Sequence, residues 1–200
     1  MTPRGNLSEA DLAPTWWEQF TRWQAEADAS GAFAEPTAAV LSTDGPHSRT
    51  VLVKQVDARG FVFFTNRRSR KGTDIARVPR AALTFPWYAL ARQINVVGTV
   101  AAIDDADSDA YFASRPRGAQ IGAWASEQSA VVADRAALEA AVVAAAARYE
   151  GQAVPRPPHW GGYRVEPETV ELWQGQADRL HDRLRYRHDG MTWIVERLSP

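Results

Sequence analysis

Apolar residues recur every three to four positions near the start of the chain and predict its first helix. In the segment PTWWEQFTRWQAEADASG these residues fall on one helical face, which we expect to pack on a core. They are Trp16, Phe20, Trp23 and Ala27. Thr15 and Glu18 have the spacing of a capping box, and Gly31 can end the helix. The pattern predicts a helix over residues 15–31, preceded by a flexible segment at residues 1–14.

Short runs rich in Val, Phe and Thr follow from Ala38 onwards and predict antiparallel strands. The runs up to about Val100 are AAVLST, RTVLVKQVD, FVFFTN, AALTFPW and RQINVVGTVAAI, separated by turn sequences such as DGPH and DARG. Two helices, DADSDAYFASR and DRAALEAAVVAAAARYEG, precede three more alternating runs, YRVEPETVELWQG, DRLHDRLRYRH and TWIVERL. The chain is predicted to be mainly β with flanking helices, a barrel or sandwich in one domain over residues 1–200.

The composition of the chain narrows the classes of function. The chain carries 23 basic and 24 acidic side chains, so it has no overall field that attracts nucleic acid or an anionic membrane. The absence of cysteine excludes disulfides, thiolate catalysis and cysteine-bound metals. No apolar run has the length of a membrane span, and the spacing of His181 and His188 points them to opposite faces of a strand. We expect a cytoplasmic protein without a metal, nucleic-acid or membrane partner.

Positive charge is concentrated in the segment TNRRSRKGTDIARVP. Ser69 can begin a short helix that runs to about Arg77, with Arg70 and Lys71 at its start. Free backbone N–H groups, the helix dipole and two cations would together bind a phosphate. A solvated basic turn is an equally good interpretation of this segment alone.

Two further pairs of residues indicate an anion site. Arg49 and Lys54 lie five apart on the strand SRTVLVKQ, so they face opposite sides unless a bulge intervenes or the ligand wraps an edge. Tyr111 and Arg115 lie four apart on a predicted helix, where a hydroxyl and a guanidinium could hold one phosphate. Simple packing of the aromatic ring under the arginine stem is the alternative for the second pair.

The segment WQGQADRLHDRLRYRH concentrates arginine and histidine near the end of the chain. If it forms a strand, Arg179, His181, Arg183 and Arg185 project from one face. A row of like charges is unfavourable unless an anion or an acidic partner meets it. The row therefore favours a bound ligand.

Taken in order, several segments resemble the pyridoxamine 5'-phosphate oxidase family. They are RTVLVK, FFTNRRSRKG, FPWYALARQ, YFASRPRGAQIGAWASEQS, PPHWGGYRV, ELWQGQADRLHDRLRY and the terminal RLSP. The resemblance spans about residues 15–200, and W-Q-G-x-x-x-R-L-H-D-R is its most specific motif. It implies an FMN-binding split β-barrel that forms a homodimer, with FMN in clefts at the dimer interface.

The resemblance also implies the residues of the site and the reaction. The implied FMN contacts are Arg49, Thr50, Val51, Leu52, Val53, Lys54, Phe64, Thr65, Ser69, Arg70, Lys71, Gln93, Gln128, Ser129, Trp173 and Arg183. The implied substrate contacts are Lys54, Tyr111 and Arg115 on a phosphate, with Arg179 and His181 over a pyridine ring as the catalytic pair. The implied reaction oxidises pyridoxamine 5'-phosphate or pyridoxine 5'-phosphate to pyridoxal 5'-phosphate and reduces O2 to hydrogen peroxide.

Three positions depart from the family pattern. An N-terminal Arg-x-x-Tyr element that closes over the substrate is incomplete, because Leu7 follows Arg4. Ala119 stands where a serine often completes the substrate-phosphate site, and Phe64 replaces a tyrosine beside the flavin. The first two departures weaken the substrate side and leave the flavin side intact.

Two alternatives follow from these departures. One is a related flavin oxidase of the phenazine-biosynthesis type, which acts on another aromatic substrate. The other is a non-catalytic protein that binds FMN or pyridoxal phosphate. A nucleic-acid-binding barrel is disfavoured, since the cations cluster and the total charge is balanced.

Overall fold

The computed structural model describes residues 5–200, so Arg4 of the incomplete N-terminal element lies outside the described residues. The strands are β1 Ala38–Thr43, β2 His47–Asp57, β3 Gly60–Asn66, β4 Arg80–Phe85, β5 Arg92–Ala102, β6 Trp160–Gln174, β7 Asp182–His188 and β8 Trp193–Arg197. The helices are α1 Trp16–Ala29, α2 Arg70–Arg77, α3 Asp105–Ser114, α4 Arg117–Ala125 and α5 Arg135–Arg148. The predicted mainly β fold with flanking helices is confirmed.

The strands form one antiparallel sheet that closes into a split barrel. Their order is β3-β2-β1-β4-β5-β6-β7-β8, and pairing of β3 with β6 closes a six-stranded barrel. One edge of β6 pairs with β5 along most of its length. The other edge pairs with β3 through residues 160–165 and then with β7 through residues 169–174. Strand β6 therefore belongs both to the barrel wall and to the C-terminal strands.

Helix α1 packs its aromatic face on the barrel core, as its periodicity predicts. The Trp16 ring stacks on Phe61 at a centroid distance of 5.1 Å, and the Phe20 ring lies 4.8 Å from Phe85. Thr15 precedes the helix, and its hydroxyl oxygen accepts a 3.4 Å hydrogen bond from the backbone N–H of Glu18. The helix ends at Ala29 rather than at the predicted residue 31.

Residues 5–14 contact the C-terminal strands, and the flexibility expected of residues 1–14 stays a prediction. Leu7 is buried, and its backbone N–H donates to the Asp182 carboxylate at 3.0 Å. The Arg197 guanidinium donates to the Leu7 carbonyl oxygen at 2.9 Å, and the Tyr186 hydroxyl donates to the Ala13 carbonyl oxygen at 2.6 Å. The segment is held because burial of Leu7 is combined with hydrogen bonds from its backbone.

Helix α4 was not predicted from the sequence. It follows directly after α3, and Pro116 precedes its first residue. The helix contains Gly118 and Gly122, whose low helix propensity weakens the helical signal of this segment. Ile121 is its buried residue and joins a second, smaller apolar cluster that includes Trp160.

Gly98 on β5 is required by close approach of two backbones. It lies beside a register shift in the pairing of β5 with β6, and a Cβ atom there would overlap the Glu166 carbonyl oxygen. We expect Gly98→Ala to lower the free energy of unfolding by about 2–4 kcal/mol. Chemical denaturation at fixed protein concentration measures this change.

Gly118→Ala on α4 is the matched control. Within residues 5–200, a Cβ atom at Gly118 would meet no heavy atom within 4 Å apart from its chain neighbours and the backbone of its own helix, so alanine should be neutral or stabilising there by up to about 1 kcal/mol. Equal losses in the two variants would contradict the role assigned to Gly98.

Candidate functional site

Two concave surfaces share Gln128, and many of the expected site residues line one or the other. The first, called here the β2–α2 groove, is lined by His47, Arg49, Thr50, Arg70, Lys71 and Ser129 together with Gln128. The second, the β3–α3 cavity, has a volume of about 620 Å³. It is lined by Leu52, Lys54, Phe64, Thr65, Tyr111 and Arg115, among others. These two surfaces therefore bring together the basic segment at Arg70 and Lys71, the Arg49–Lys54 pair and the Tyr111–Arg115 pair.

Lys71 is a buried cation in the wall of the β2–α2 groove. Its ammonium group donates to the Ser69 hydroxyl at 3.2 Å and to the Gln128 side-chain oxygen at 2.9 Å. Burial and the neighbouring charge of Arg49 lower the pKa of Lys71 to about 8. No carboxylate forms an ion pair with Lys71 within residues 5–200. A bound anion would offset the burial of the Lys71 charge, because it would favour the charged ammonium.

Helix α2 begins after Ser69 and ends at Arg77, as the sequence predicts. Ser69 does not cap the helix with its side chain, since its hydroxyl donates to the Asn66 carbonyl oxygen at 2.7 Å. The hydroxyl oxygen of Ser129, from a loop distant in sequence, accepts from the Arg70 backbone N–H at 3.2 Å. The loop that carries Gln128 and Ser129 is thus fastened to the start of α2.

Strand β2 distributes its residues between the core, the groove and the cavity. Val51 and Val53 are buried in the core, so only their backbone is available to a ligand. The register with β3 shifts between Val53 and Gln55. This shift is a bulge of the kind that could bring Arg49 and Lys54 to one side of the strand. Arg49 nevertheless lines the groove and Lys54 the cavity. A ligand that contacts both side chains must extend past Gln128.

Aromatic rings and the Arg115 guanidinium line the β3–α3 cavity. The Tyr111 ring stacks on Phe64 at 3.9 Å, and the Arg115 guanidinium carbon lies 4.8 Å from the Trp160 ring centroid. Burial raises the pKa of Tyr111 and lowers the pKa of Arg115. Within residues 5–200, the Nη1 atom of Arg115 is buried without a hydrogen-bond partner. An unsatisfied buried cation of this kind is favourable only when an acceptor such as a phosphate oxygen meets it.

A second group of expected site residues lies on β5, β6 and the chain that follows. Gln93, Trp173 and Arg183 stand side by side in the register of β5, β6 and β7, so their side chains share one face. The His181 ring packs on Trp173 at 4.7 Å, and its Nδ1 accepts from the Gln176 backbone N–H at 3.1 Å. In the neutral ring the proton is therefore on Nε2, which is free to donate.

The predicted row of like charges is wrong in two respects. Strand β7 begins at Asp182, so Arg179 and His181 precede it. Positive φ angles of 54° at Asp178 and 62° at Arg179 interrupt the extended chain. Acidic residues of the same chain neutralise the arginines that do lie on β7. Arg183 pairs with Glu171 at 2.7 Å, while Arg185 and Arg187 pair with Glu196 at 2.6 and 2.7 Å. Within residues 5–200, the exposed Arg179 side chain forms no ion pair.

The two groups do not form one site within a single chain. Trp160 of the cavity and Trp173 of the second group lie near opposite ends of β6, a 15-residue strand. At about 3.3 Å per residue, this strand has a contour length of roughly 45 Å. None of Gln93, Trp173, Arg179, His181 and Arg183 lines the groove or the cavity.

Comparison with known proteins identifies the family. Residues 26–149 match the family described as "Pyridoxamine 5'-phosphate oxidase", and residues 160–200 match the "Pyridoxine 5'-phosphate oxidase C-terminal dimerisation region". The chain belongs to the pyridoxamine 5'-phosphate oxidase family. The dimerisation region, which holds β6, β7 and β8, supports a homodimer.

Curated relatives of this oxidase family extend over almost the whole chain. The chain is 54% identical to the pyridoxine/pyridoxamine 5'-phosphate oxidase of Salinispora arenicola, over 97% of this chain and 90% of the relative. It is 53% identical to the enzyme of the same name from Burkholderia ambifaria, over 98% of this chain and 94% of the relative.

Solved structures of the oxidase family share the fold. PhzG from Burkholderia lata, solved in complex with tetrahydrophenazine-1-carboxylic acid, has a TM-score of 0.89 and 33% identity, covering 97% of this chain and 98% of that one. A pyridoxamine 5'-phosphate oxidase-related, FMN-binding protein from Nostoc punctiforme has a TM-score of 0.72 and 17% identity, covering 94% of this chain and all of that one. The predicted split barrel is thereby confirmed.

Family membership supports FMN as the cofactor, and the β2–α2 groove fits its phosphate. The groove offers the buried Lys71 ammonium, the Arg49 and Arg70 guanidinium groups and hydroxyl donors, a set suited to a phosphate monoester. Within residues 5–200, no helix is long and apolar enough to cross a membrane. The same residues contain no cluster of three His, Asp or Glu side chains suited to a metal ion.

Sequence reasoning missed His47 in the groove wall and Asp74, which contacts it. His47 lines the β2–α2 groove, and Asp74 of α2 hydrogen-bonds to the His47 ring at 3.0 Å. The positions of these residues carry a weak signal, because His47 lies two residues before Arg49 on the same strand and Asp74 lies one helical turn after Arg70. Only the docking of α2 on β1 and β2 brings them together.

Proposed function

We propose that this protein uses FMN to oxidise pyridoxamine 5'-phosphate or pyridoxine 5'-phosphate to pyridoxal 5'-phosphate, with O2 as the electron acceptor. The observation that carries the proposal is the buried, unpaired Nη1 of Arg115 in the β3–α3 cavity. Lys54 and Tyr111 line the same cavity, which adjoins the β2–α2 groove at Gln128. A phosphorylated aromatic substrate next to a phosphorylated flavin would satisfy both sets of cations.

The cofactor is held chiefly by its phosphate in this proposal. Arg49, Arg70 and Lys71 would bind the phosphate, and the backbone of Val51 and Val53 would pass along the flavin. When bound, FMN supplies the acceptor for the hydride that leaves C4' of the substrate, and O2 takes up the electron pair as hydrogen peroxide. With the alcohol substrate, O2 is consumed and pyridoxal 5'-phosphate and hydrogen peroxide form. With the amine, water is also consumed and ammonia is released.

The second group of residues would complete the site from the other subunit of a homodimer. The second group lies toward the opposite end of β6 from the cavity, and none of its residues lines that cavity, which supports a contribution from a second chain. The match of residues 160–200 to a dimerisation region supports assembly through the same segment. We infer that the second group of each subunit faces the groove and cavity of the other.

Arg179 and His181 would orient the pyridine ring. The His181 ring is fixed by packing on Trp173 and by the hydrogen bond from Gln176, which leaves Nε2–H free to donate to the substrate. Arg179 is exposed and unpaired among residues 5–200, so its guanidinium is available to the ring substituents. Correct placement of C4' against the flavin is the contribution expected of these two side chains.

A flavin oxidase with a different aromatic substrate is the second candidate. The structural similarity to PhzG, solved in complex with tetrahydrophenazine-1-carboxylic acid, favours it, as does Ala119 in the cavity wall. The names of the curated relatives and the retained Lys54, Tyr111 and Arg115 favour the phosphorylated substrate. A non-catalytic FMN carrier would bind flavin and form no peroxide. The cytoplasmic location stays a prediction.

The test is aldehyde and peroxide formation by FMN-saturated protein in air with pyridoxine 5'-phosphate, pyridoxamine 5'-phosphate or unphosphorylated pyridoxine. We expect Arg115→Ala to raise KM for the phosphorylated substrates about 10- to 100-fold, since it removes a charge-assisted contact to phosphate. Turnover of pyridoxine should be slow and insensitive to the substitution.

Arg135→Ala is the control, because Arg135 is exposed on α5 and pairs with Glu139 one turn away. An unchanged KM in Arg115→Ala, or equal turnover of pyridoxine and its phosphate, would contradict the substrate assignment. Flavin binding without any turnover would favour the carrier.

A further inference from the structure

Asp74 is a buried carboxylate beneath the cations of the β2–α2 groove. Its Oδ2 accepts from the Thr43 hydroxyl at 2.7 Å and from His47 Nδ1 at 3.0 Å, and lies 3.6 Å from Arg49 Nη2. Burial alone would raise the pKa of Asp74, but hydrogen bonds from Thr43 and His47 hold it below its usual value. Asp74 is therefore an anion that fixes its neighbours in place.

The hydrogen bond to Asp74 fixes the orientation of the His47 ring. Because the carboxylate can only accept, Nδ1 of His47 carries a proton. The other ring nitrogen, Nε2, lies 3.4 Å from Arg70 Nη1, and the side chain is 35% exposed in the groove wall. His47 thus presents Nε2 beside a residue expected to bind the FMN phosphate.

The charges around His47 decide when Nε2 can bind a second proton. The charged groups near the ring are Arg49 on its own strand and Arg70, Lys71 and Asp74 on α2, while Gln128 and Ser129 of the facing loop are neutral. Asp44 of the preceding turn is paired with Arg77 at 2.6 Å. A phosphate bound between His47 and Arg70 would favour a proton on Nε2, because its charge is opposite to that of an imidazolium.

We propose that His47 is a further ligand of the FMN phosphate, which binds as an imidazolium and takes up a proton when FMN binds. Asp74 is its positioning residue, since it orients both His47 and Arg49. This inference rests on the proposed placement of the FMN phosphate in the β2–α2 groove.

The sign of the pH dependence follows from this linkage. Bound phosphate favours protonated His47, so its contribution to FMN affinity is full at low pH and is lost as pH rises through the titration range of the histidine. Two other groups titrate nearby, namely Lys71 with a pKa of about 8 and the FMN phosphate with a second pKa of about 6. Lys71 and the FMN phosphate are present both in wild type and in a His47 variant. The ratio of the two dissociation constants for FMN therefore largely cancels the effect of their titration.

The experiment measures Kd for FMN from the quenching of flavin fluorescence in wild-type apoprotein and in His47→Gln. We expect the ratio of Kd in the variant to Kd in wild type to be about tenfold near pH 6 and to fall to about one above pH 8.5. Riboflavin lacks the phosphate and should give a ratio of about one at each pH. Calorimetry in buffers of different ionisation enthalpy should show proton uptake in wild type that is lost in the variant.

His188→Gln is the matched control, because His188 is an exposed histidine at the end of β7 and outside the groove. The ratio of Kd for FMN in His188→Gln to Kd in wild type should be about one at each pH. A ratio for His47→Gln that does not change with pH, or the same pH dependence with riboflavin, would overturn the inference and leave the FMN assignment intact. Failure of the wild-type apoprotein to bind FMN would overturn the cofactor placement and this inference together.

Discussion

Replacement of both Arg70 and Lys71 with alanine is expected to raise Kd for FMN at least about 100-fold. Each cation is expected to contribute a charge-assisted hydrogen bond to phosphate of about 1.5–3 kcal/mol, and 1.4 kcal/mol corresponds to a factor of ten. Lys71 is buried against Ser69 and Gln128, so its ammonium group is held at a fixed place in the groove wall. Fluorescence quenching of FMN by the apoprotein gives Kd directly.

Arg77→Ala is the control for this loss. Arg77 lies in the last turn of the same helix and pairs with Asp44, away from the groove. Its removal should leave Kd for FMN within about twofold of wild type. Wild-type affinity in the double variant, with an unchanged thermal unfolding curve, would show that the phosphate binds elsewhere.

Arg179→Ala and His181→Ala are each expected to lower kcat/KM about 100-fold while FMN remains bound. Both residues lie in the second group, away from the cations that hold the phosphate, and their proposed role is to orient the substrate ring. Loss of correct orientation by about 1 Å costs roughly two orders of magnitude in rate. Steady-state peroxide formation and the flavin absorbance of the purified variants measure the two properties separately.

Arg187→Ala provides the matched control on the same C-terminal segment, because Arg187 pairs with Glu196 and lies beyond the second group. Its kcat/KM should stay close to that of wild type. If Arg179→Ala and His181→Ala released FMN while the Arg70 and Lys71 double variant retained it, the division of roles between the two groups would be reversed.

The sequence predicted the elements whose signals are local. The apolar face of α1 and the helix start after Thr15 follow from spacing alone, and alternation identified the barrel strands. The start of α2 after Ser69 was also visible. The residues of the groove and the cavity came mainly from the family resemblance, and the roles proposed for them stay predictions.

The features that the sequence did not predict depend on long-range contacts or on local backbone geometry. Helix α4 was missed because its two glycines have low helix propensity. Strand β7 starts later than predicted because the backbone at Asp178 and Arg179 is left-handed. The arginines of β7 looked unpaired because Glu171 and Glu196 reach them only through strand pairing. The contact between His47 and Asp74 has only a weak signal in the sequence, because it forms when α2 docks on the strands.

The length of β6 has a consequence for the newly made polypeptide. The continuous, paired strand β6 holds the residues at its two ends apart. A lone subunit of the proposed dimer could therefore bind the flavin phosphate but could not place a substrate for oxidation. Catalytic competence would then arise at the moment of assembly. Unassembled subunits in a cell would carry the flavin without releasing peroxide.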